Sequence, residues 1–187
     1  MSIGLFIFVL LLIAGIVAFI VWFLRRSYAK YAEAWAALLP LVEGGSSKGA
    51  RMAGTYRGMP VAARVRAVSD SDNSNTTYYF EASLTGAPGG RDWTMKYGGQ
   101  KLLGFGEKSW HVSTKDDALK ARLEGSGELA AVAQFGYPTI SYKARRGEFE
   151  YSEQVRGMFD IPPPERFSAQ LELLARLARL NAQANAA

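Results

Sequence analysis

The stretch FIVWFLRRSYAKYAEAW, residues 19–35, decides how the chain is organised, because an uncharged apolar run ends there at two adjacent arginines. The run extends back to Ile3 and forward to Leu24. At 1.5 Å per residue, a helix over this run is about 33 Å long, close to the roughly 30 Å hydrocarbon core of a bilayer. The sequence therefore predicts a transmembrane anchor at residues 1–26.

The two alternatives for this run are a buried helix of a soluble protein and a cleaved signal peptide. Buried helices contain shorter apolar runs, and a signal peptide carries basic residues before its apolar core. Here Met1 and Ser2 carry no charged side chain, whereas Arg25 and Arg26 follow the core directly. We therefore favour a single membrane-spanning helix.

The two flanks of the apolar run differ in charge. Arg25, Arg26 and Lys30 follow it, with Trp22 at the same end as a candidate interfacial residue, and no Lys or Arg precedes it. Basic residues beside a span stay on the cytoplasmic side, because moving them through lipid is unfavourable. We expect the N-terminus outside, the body of the protein in the cytoplasm, and the anchor in the inner membrane of a bacterial cell.

The positive charge of the chain is concentrated close to the anchor. Residues 25–68 carry eight basic and two acidic side chains, whereas residues 69–187 carry 14 basic and 15 acidic ones. Anionic lipid attracts such basic side chains, although ordinary solvated surface is the alternative. The candidates for lipid contact are Arg51, Arg57, Arg64 and Arg66. They are not arranged as a helical stripe with stacking aromatics, so we expect no nucleic-acid partner.

The segment after the anchor has helical spacing and is followed by a glycine-rich stretch. Tyr28, Tyr31, Trp35 and Leu38 fall on one helical face, which predicts a juxtamembrane helix over residues 27–43. The sequence GGSSKGA then predicts a flexible joint at residues 44–50. A cytoplasmic domain over residues 51–187 follows.

Within residues 51–187 the apolar period changes from that of a helix to that of strands. RMAGTYRGMPVAARVRAV and TTYYFEASL alternate as strands, and DWTMKYG and KSWHVST are shorter candidates. Thr114 is the predicted N-cap of a helix, GELAAVAQF a second short helix, and TISYKARRGEFEYSEQV a hairpin. A final helix begins after three prolines. The order predicts an α+β fold with a mainly antiparallel sheet, flanking helices and a C-terminal helix; a seven-stranded roll is the alternative.

The polar stretch DSDNSNTTYYFE resembles the spacing of a calcium-binding loop. Asp70, Asp72, Ser74 and Glu81 occupy ligand positions of that template, but both flanks have strand character where helices are required. A polar hairpin loop is the favoured interpretation, and these four residues are a weak metal candidate. Apart from them we predict no metal site.

Catalytic chemistry has few candidate residues. The chain has no cysteine, so thiol catalysis and Cys-ligated metals are excluded, and its one histidine, His111, lies in a predicted strand without an evident orienting partner. GFGEKS lacks the third glycine and the strand-to-helix context of a phosphate loop. We therefore predict no catalytic residue and no cofactor.

The final helix is apolar over more than one stripe. Leu173, Leu177 and Leu180 lie beside the main face; burial in the chain's own domain is the favoured interpretation, and docking onto a partner is the alternative. We expect a non-enzymatic accessory or scaffolding subunit that binds other membrane proteins through its cytoplasmic domain. A lipid- or ligand-sensing module at the membrane surface is the alternative, and a membrane-tethered hydrolase using carboxylates near residues 70–81 or 116–117 is the weakest.

Overall fold

The alternating residues downstream of the anchor form one antiparallel sheet in the computed structural model, which describes residues 3–69, 75–86, 88–99, 108–125 and 138–185. The fold is α+β, as predicted, with a long apolar N-terminal helix and a C-terminal helix. Within the described ranges the elements are, in chain order, α1 (Ile3–Ala36), a 3-10 turn (Leu39–Leu41), β1 (Glu43–Lys48), β2 (Arg51–Tyr56), β3 (Met59–Ser69), β4 (Thr76–Thr85), β5 (Trp93–Gly99), β6 (Lys108–Ser113), α2 (Asp117–Glu124), β7 (Thr139–Lys143), β8 (Glu148–Val155) and α3 (Pro164–Asn185).

The sheet is continuous rather than a seven-stranded roll. Its strand order is β1-β2-β3-β4-β8-β7-β5-β6, and every neighbouring pair is antiparallel. The β2–β3 turn places Arg57 and Gly58 at φ of 51° and 77°, the left-handed geometry of a two-residue hairpin turn. The hairpin predicted to turn at Arg146 and Gly147 joins β7 to β8, with Gly147 at φ 64°.

The pairing register separates the side chains into two faces. One row across all eight strands points inward and is mostly apolar: Ser47, Met52, Ala63, Ala82, Tyr151, Ile140, Met95 and Val112. The row one residue away points outward and is polar: Lys48, Arg51, Arg64, Glu81, Ser152, Thr139, Lys96 and His111. We call these the inner face and the outer face of the sheet.

The core lies on the inner face, beneath α3 and the end of α1. Trp35, Phe80 and Phe167 are fully buried there, with ring centroids 6.4 Å apart for Trp35 and Phe80 and 6.0 Å for Phe80 and Phe167. Trp93, Tyr142 and Phe149 form a second aromatic group further along the sheet, which also belongs to the core. Burial of aromatic side chains on this scale is the main source of the domain's stability.

Helix α1 is uninterrupted from the apolar run into the domain. It is long and apolar enough to cross a membrane, and its side chains at residues 10–24 are all exposed. The predicted juxtamembrane helix over residues 27–43 is therefore the last part of α1, and it ends at Ala36. The 3-10 turn that includes Pro40 follows it, since proline cannot continue an α-helix without losing a backbone hydrogen bond.

Two local predictions need correction. The flexible joint at residues 44–50 is instead strand β1 and its turn, where Gly44 and Gly49 adopt positive φ, so the glycines bend the chain within a sheet. The N-cap of α2 is Asp116, whose Oδ1 accepts a hydrogen bond from Leu119 N at 3.0 Å, not Thr114. The helix predicted for GELAAVAQF and the GFGE part of GFGEKS lie outside the described residues.

Candidate functional site

The junction between α1 and the domain is built from side-chain contacts. Trp35 Nε1 donates to the carbonyl oxygen of Gly49 at 3.0 Å, and the ring of Tyr31 lies 4.8 Å from that of Phe159. Lys30 Nζ lies 5.2 Å from the centre of the Phe159 ring. Burial, followed by the nearby phenol of Tyr78, raises the pKa of Tyr31. The last turns of α1 are therefore packed against the sheet and the segment after β8.

The outer face carries a cluster of opposite charges. Glu81 is buried, and its Oε2 and Oε1 accept from Arg64 Nε and Arg66 Nε, each at 2.6 Å. The two arginine side chains remain about half exposed, and Arg66 also lies over the ring of Tyr79. Because one carboxylate is shared by two guanidinium groups, the cluster keeps a net positive charge at the surface.

A shallow depression of about 720 Å³ lies beside this cluster. Its floor is made of small side chains in one cross-strand row: Ala53, Ala62 and Ser83. On the β1–β2 side it is lined by basic side chains, and within the described part of the chain Lys48 and Arg51 have no ion-pair partner. On the β7–β8 side the ion pairs Lys143–Glu150 (3.0 Å) and Arg146–Glu148 (3.6 Å) form the wall.

No helix of the described chain packs over this depression. α3 and the end of α1 pack on the inner face, and Leu119 and Leu123 of α2 belong to the same core. Outer-face side chains other than Glu81 are exposed or half-buried in the described ranges. The depression is therefore an open surface with small residues at its centre and charges around it.

A second polar cluster lies on the inner face and has a structural role. Glu153 is buried; its Oε2 accepts from Tyr151 Oη at 2.8 Å and from Arg166 Nη2, and its Oε1 accepts from Gln170 Nε2 at 3.1 Å. Burial, then the charge of Glu153, raises the pKa of Tyr151. These contacts fix β8 against α3.

The third cluster surrounds Glu172 at the end of the sheet far from the α1 junction. Arg57 Nη2 lies 2.7 Å from Glu172 Oε2, and Tyr56 Oη donates to the same oxygen at 3.2 Å. Burial acts to raise the pKa of Glu172, but hydrogen bonds from Arg176 and Tyr56 and the charge of Arg57 outweigh it and lower the pKa.

The predicted lipid-contact arginines do not share one surface. Arg51, Arg64 and Arg66 lie on the outer face towards the α1 end of the strands. Arg57, in the turn after β2, lies six residues beyond Arg51, about 20 Å away at 3.3 Å per residue, and pairs with Glu172. The structure therefore separates Arg57 from the other three candidates, because β2 runs away from the junction.

The calcium-loop candidate is not assembled in the described residues. Asp70, Asp72 and Ser74 lie outside them, and Glu81, the proposed closing ligand, is held by two arginines within the sheet. No group of three or more acidic or histidine side chains suited to a metal occurs in the described ranges. Of the carboxylates considered for a hydrolase, Glu81 is ion-paired and Asp116 caps α2.

His111 lies on the outer face of β6, opposite Lys96 of β5, and its side chain is exposed. The strand predicted for KSWHVST is thus present as β6.

Two of the three docking candidates on the final helix lie in the chain's own core, in line with the favoured interpretation. Leu173 and Leu177 are buried in the domain's own core, and Leu180 is half-buried against it. They are buried because α3 lies along the inner face, where a broad apolar arc contacts both the sheet and its aromatic side chains.

The anchor residues Ile3 and Leu24 lie in α1, as do Trp22, Arg25, Arg26 and Lys30. Arg26 lies over the ring of Trp22 at 5.4 Å. The residues missed by sequence analysis are the small side chains of the depression and the segment at Met158 and Phe159. Only the strand register, which shows that Ala53 and Ala62 are neighbours, identifies the depression.

No family model, curated protein or solved structure matches this chain.

Proposed function

We propose that this protein is a single-span membrane protein without catalytic activity of its own, acting as an accessory or scaffolding subunit. Its domain is held at the membrane surface and binds a helical segment of another membrane protein in the outer-face depression. The packed junction between α1 and the sheet is the observation that carries this proposal. A rigid join fixes the height and direction at which the open face is presented, which a flexible tether would not.

The orientation follows from the charges beside the span. Arg25, Arg26 and Lys30 follow the apolar part of α1, so the domain lies on the cytoplasmic side and the N-terminus outside. In a bacterial cell this membrane is the inner membrane.

The dimensions and charges of the depression favour a protein segment. It crosses β1, β2, β3, β4 and β8, about 19 Å at 4.8 Å per strand, which is the length of a helix of about 13 residues. Ala53, Ala62 and Ser83 let a helix backbone approach closely. Lys48 and Arg51 at one end favour acidic side chains on that segment, since charge complementarity orients a partner.

Site-specific photocrosslinking in intact cells tests this proposal. A photoreactive phenylalanine analogue replaces Ala62 on the floor of the depression, in the full-length chain. The same analogue at Ala118, an exposed alanine of α2, is the matched control. We expect an adduct from position 62, but not 118, whose second component is an integral membrane protein identified by mass spectrometry.

Charge reversal makes the test specific for the depression. Arg51→Glu should reduce the adduct at least several-fold, whereas Arg145→Glu, in the exposed β7–β8 turn, should leave it unchanged. An adduct with a soluble protein, with a second copy of the chain or with lipid alone, or an adduct insensitive to Arg51→Glu, would contradict the proposal.

A further inference from the structure

We infer that one rim of the domain lies among the lipid headgroups and binds anionic lipid. The rim consists of the β1–β2 turn, the end of β3 and the segment after β8, with side chains Lys48, Arg51, Arg66, Val68, Arg156, Met158 and Phe159. This inference rests on the proposed insertion of α1 in a membrane, and it goes beyond the protein-binding role of the outer face.

The depth of the rim follows from its contacts with α1. A Cβ atom on Gly49 would lie 3.0 Å from Cε1 of Tyr28, so the β1–β2 turn touches the helix at Tyr28. Tyr28 lies four residues after Leu24, about 6 Å along the helix. The headgroup layer on each side of a bilayer is about 5–8 Å thick. The turn therefore lies at headgroup depth, with Lys48 and Arg51 on either side of Gly49.

The segment after β8 lies just beyond the outer limit of the same layer. Phe159 contacts Tyr31, which is seven residues after Leu24 and thus about 10 Å along the helix. Arg156 and Met158 precede Phe159 directly. The end of β3 belongs to the same side, because Ala67 pairs with Tyr78, which interacts with Tyr31.

Exposed apolar side chains are concentrated on this rim. Outside residues 7–24, the large hydrophobic side chains of the described chain that are exposed are Tyr28 at 58%, Val68 at 37% and Met158 at 39%. All three lie on the rim or on the helix beside it. An apolar side chain flanked by cations suits the interface of a bilayer, where the chain enters the acyl boundary and the charges meet phosphate groups.

The charges of the rim favour anionic over neutral lipid. Lys48, Arg51 and Arg156 have no ion-pair partner in the described ranges, and the carboxylate of Asp160 accepts from the backbone nitrogen of Arg156 at 3.0 Å. At the far end of the sheet, by contrast, Arg57 and Arg146 are each paired with a glutamate. Unpaired cations at headgroup depth bind phosphate-bearing lipid.

Depth-dependent fluorescence quenching of the reconstituted full-length chain tests this inference. Because the chain has no cysteine, Met158→Cys provides a single labelling site on the rim. Gln183→Cys, exposed on α3 and about 28 Å along that helix from its first residue, is the distant control. The vesicles contain phosphatidylcholine with or without phosphatidylglycerol, and the quencher is a nitroxide on the lipid headgroup.

We expect strong quenching at position 158 in vesicles with phosphatidylglycerol, weaker quenching in its absence, and little quenching at position 183 in either. A basic side chain at an anionic surface strengthens contact about five-fold, so Lys48→Gln with Arg51→Gln should weaken the rim contact about 25-fold. High salt should act in the same direction. The matched double variant, Arg91→Gln with Arg145→Gln, changes two exposed arginines at the distant end of the sheet and should leave quenching unchanged.

Equal quenching at positions 158 and 183, or quenching independent of phosphatidylglycerol, would overturn the inference. The vesicles contain no partner protein, so this result is independent of the crosslinking at position 62. Resistance of the chain to extraction by alkaline carbonate separates the premise from the inference: a chain that is extracted does not span the membrane, which contradicts the proposed function as well.

Discussion

The two faces of the sheet take alternate side chains of the same strands, yet only the inner face is covered by helices. Phe80 is fully buried between Trp35 and Phe167, whereas its neighbours Tyr79 and Glu81 lie on the outer face. Both faces contain a buried carboxylate, Glu153 inside and Glu81 outside, and the two lie on adjacent strands. The two carboxylates differ in their surroundings and not in their residue type.

This contrast separates the residues that stabilise the fold from those that stay in contact with solvent. The inner face removes aromatic and aliphatic surface from water, which stabilises the fold. The outer face has small side chains at its centre and charges that stay in contact with solvent, so its residues contribute little to folding. Substitutions on the two faces should therefore change the free energy of unfolding by different amounts, even where the residues adjoin in sequence.

The largest effect is expected for Phe80→Ala. Removing a buried aromatic side chain leaves a cavity between Trp35 and Phe167 and should lower the free energy of unfolding by about 4 kcal/mol. Tyr79→Ala, one residue away on the outer face, should lower it by about 1 kcal/mol or less. Urea unfolding of the full chain in mild detergent, followed by near-ultraviolet circular dichroism, measures both. Equal losses would contradict the two-face description.

The next largest effect separates the two buried carboxylates. Glu153→Gln removes the charge of a buried carboxylate that accepts from Tyr151, Arg166 and Gln170, and should lower the free energy of unfolding by about 3 kcal/mol. Glu81→Gln should lower it by about 1 kcal/mol, because Arg64 and Arg66 are half exposed and regain water. The same unfolding measurement checks both, and a larger loss for Glu81→Gln would reverse the assignment of the faces.

The alternation of residues predicts the elements of this fold but not the positions of its elements relative to one another. The β2–β3 and β7–β8 hairpins and the helix after the prolines follow from local period and turn residues. The pairing of β4 with β8 does not, since it joins strands separated by more than 60 residues along the chain. Non-local pairing of this kind is set by the packing of the whole core.

In the candidate site, too, local features follow from the sequence and non-local pairing does not. Arg64 and Arg66 could be assigned to an exposed face from their alternation, but their shared partner Glu81 requires the β3–β4 register. Leu173 and Leu177 show a broad apolar arc, and the sequence does not reveal whether that arc meets another protein or the chain's own sheet. The glycines at residues 44–49 predict a bend in the chain. Such a bend is equally typical of a flexible joint and of an irregular edge strand.

A smaller effect is expected at alkaline pH on the inner face. Burial raises the pKa of Tyr151 above the 10.0 of an exposed tyrosine, so the unfolded chain loses this proton at a lower pH than the folded chain. The contribution is fully present below pH 10 and declines as the pH rises above it, by at most about 1.4 kcal/mol per pH unit. Burial raises the pKa of Tyr142 in the same direction.

Tyr151→Phe isolates this contribution. The variant should be less stable near neutral pH, because the hydrogen bond to Glu153 is lost, but its stability should fall less steeply between pH 10 and pH 12 than that of the unaltered chain. Urea unfolding at several alkaline pH values measures the two slopes. Identical slopes would show that Tyr151 is not the residue that titrates with unfolding.

The smallest effect is expected at the far end of the sheet, where the Arg57–Glu172 pair belongs to neither face. Arg57→Asn keeps a residue that tolerates the positive φ of the turn and should lower the free energy of unfolding by about 0.5 kcal/mol, because the pair is largely exposed.

The contacts of Glu172 lower its pKa below 4.5, so their contribution is present above pH 4.5 and is lost as the pH falls through the folded-state pKa. Glu172→Gln should remove that acid dependence.

Added salt should weaken the Arg57–Glu172 pair but not the buried Glu153 cluster, because screening acts on solvent-exposed charges. Equal salt sensitivity of Arg57→Asn and Glu153→Gln, relative to the unaltered chain, would mean that the inner cluster is as open to solvent as the surface pair.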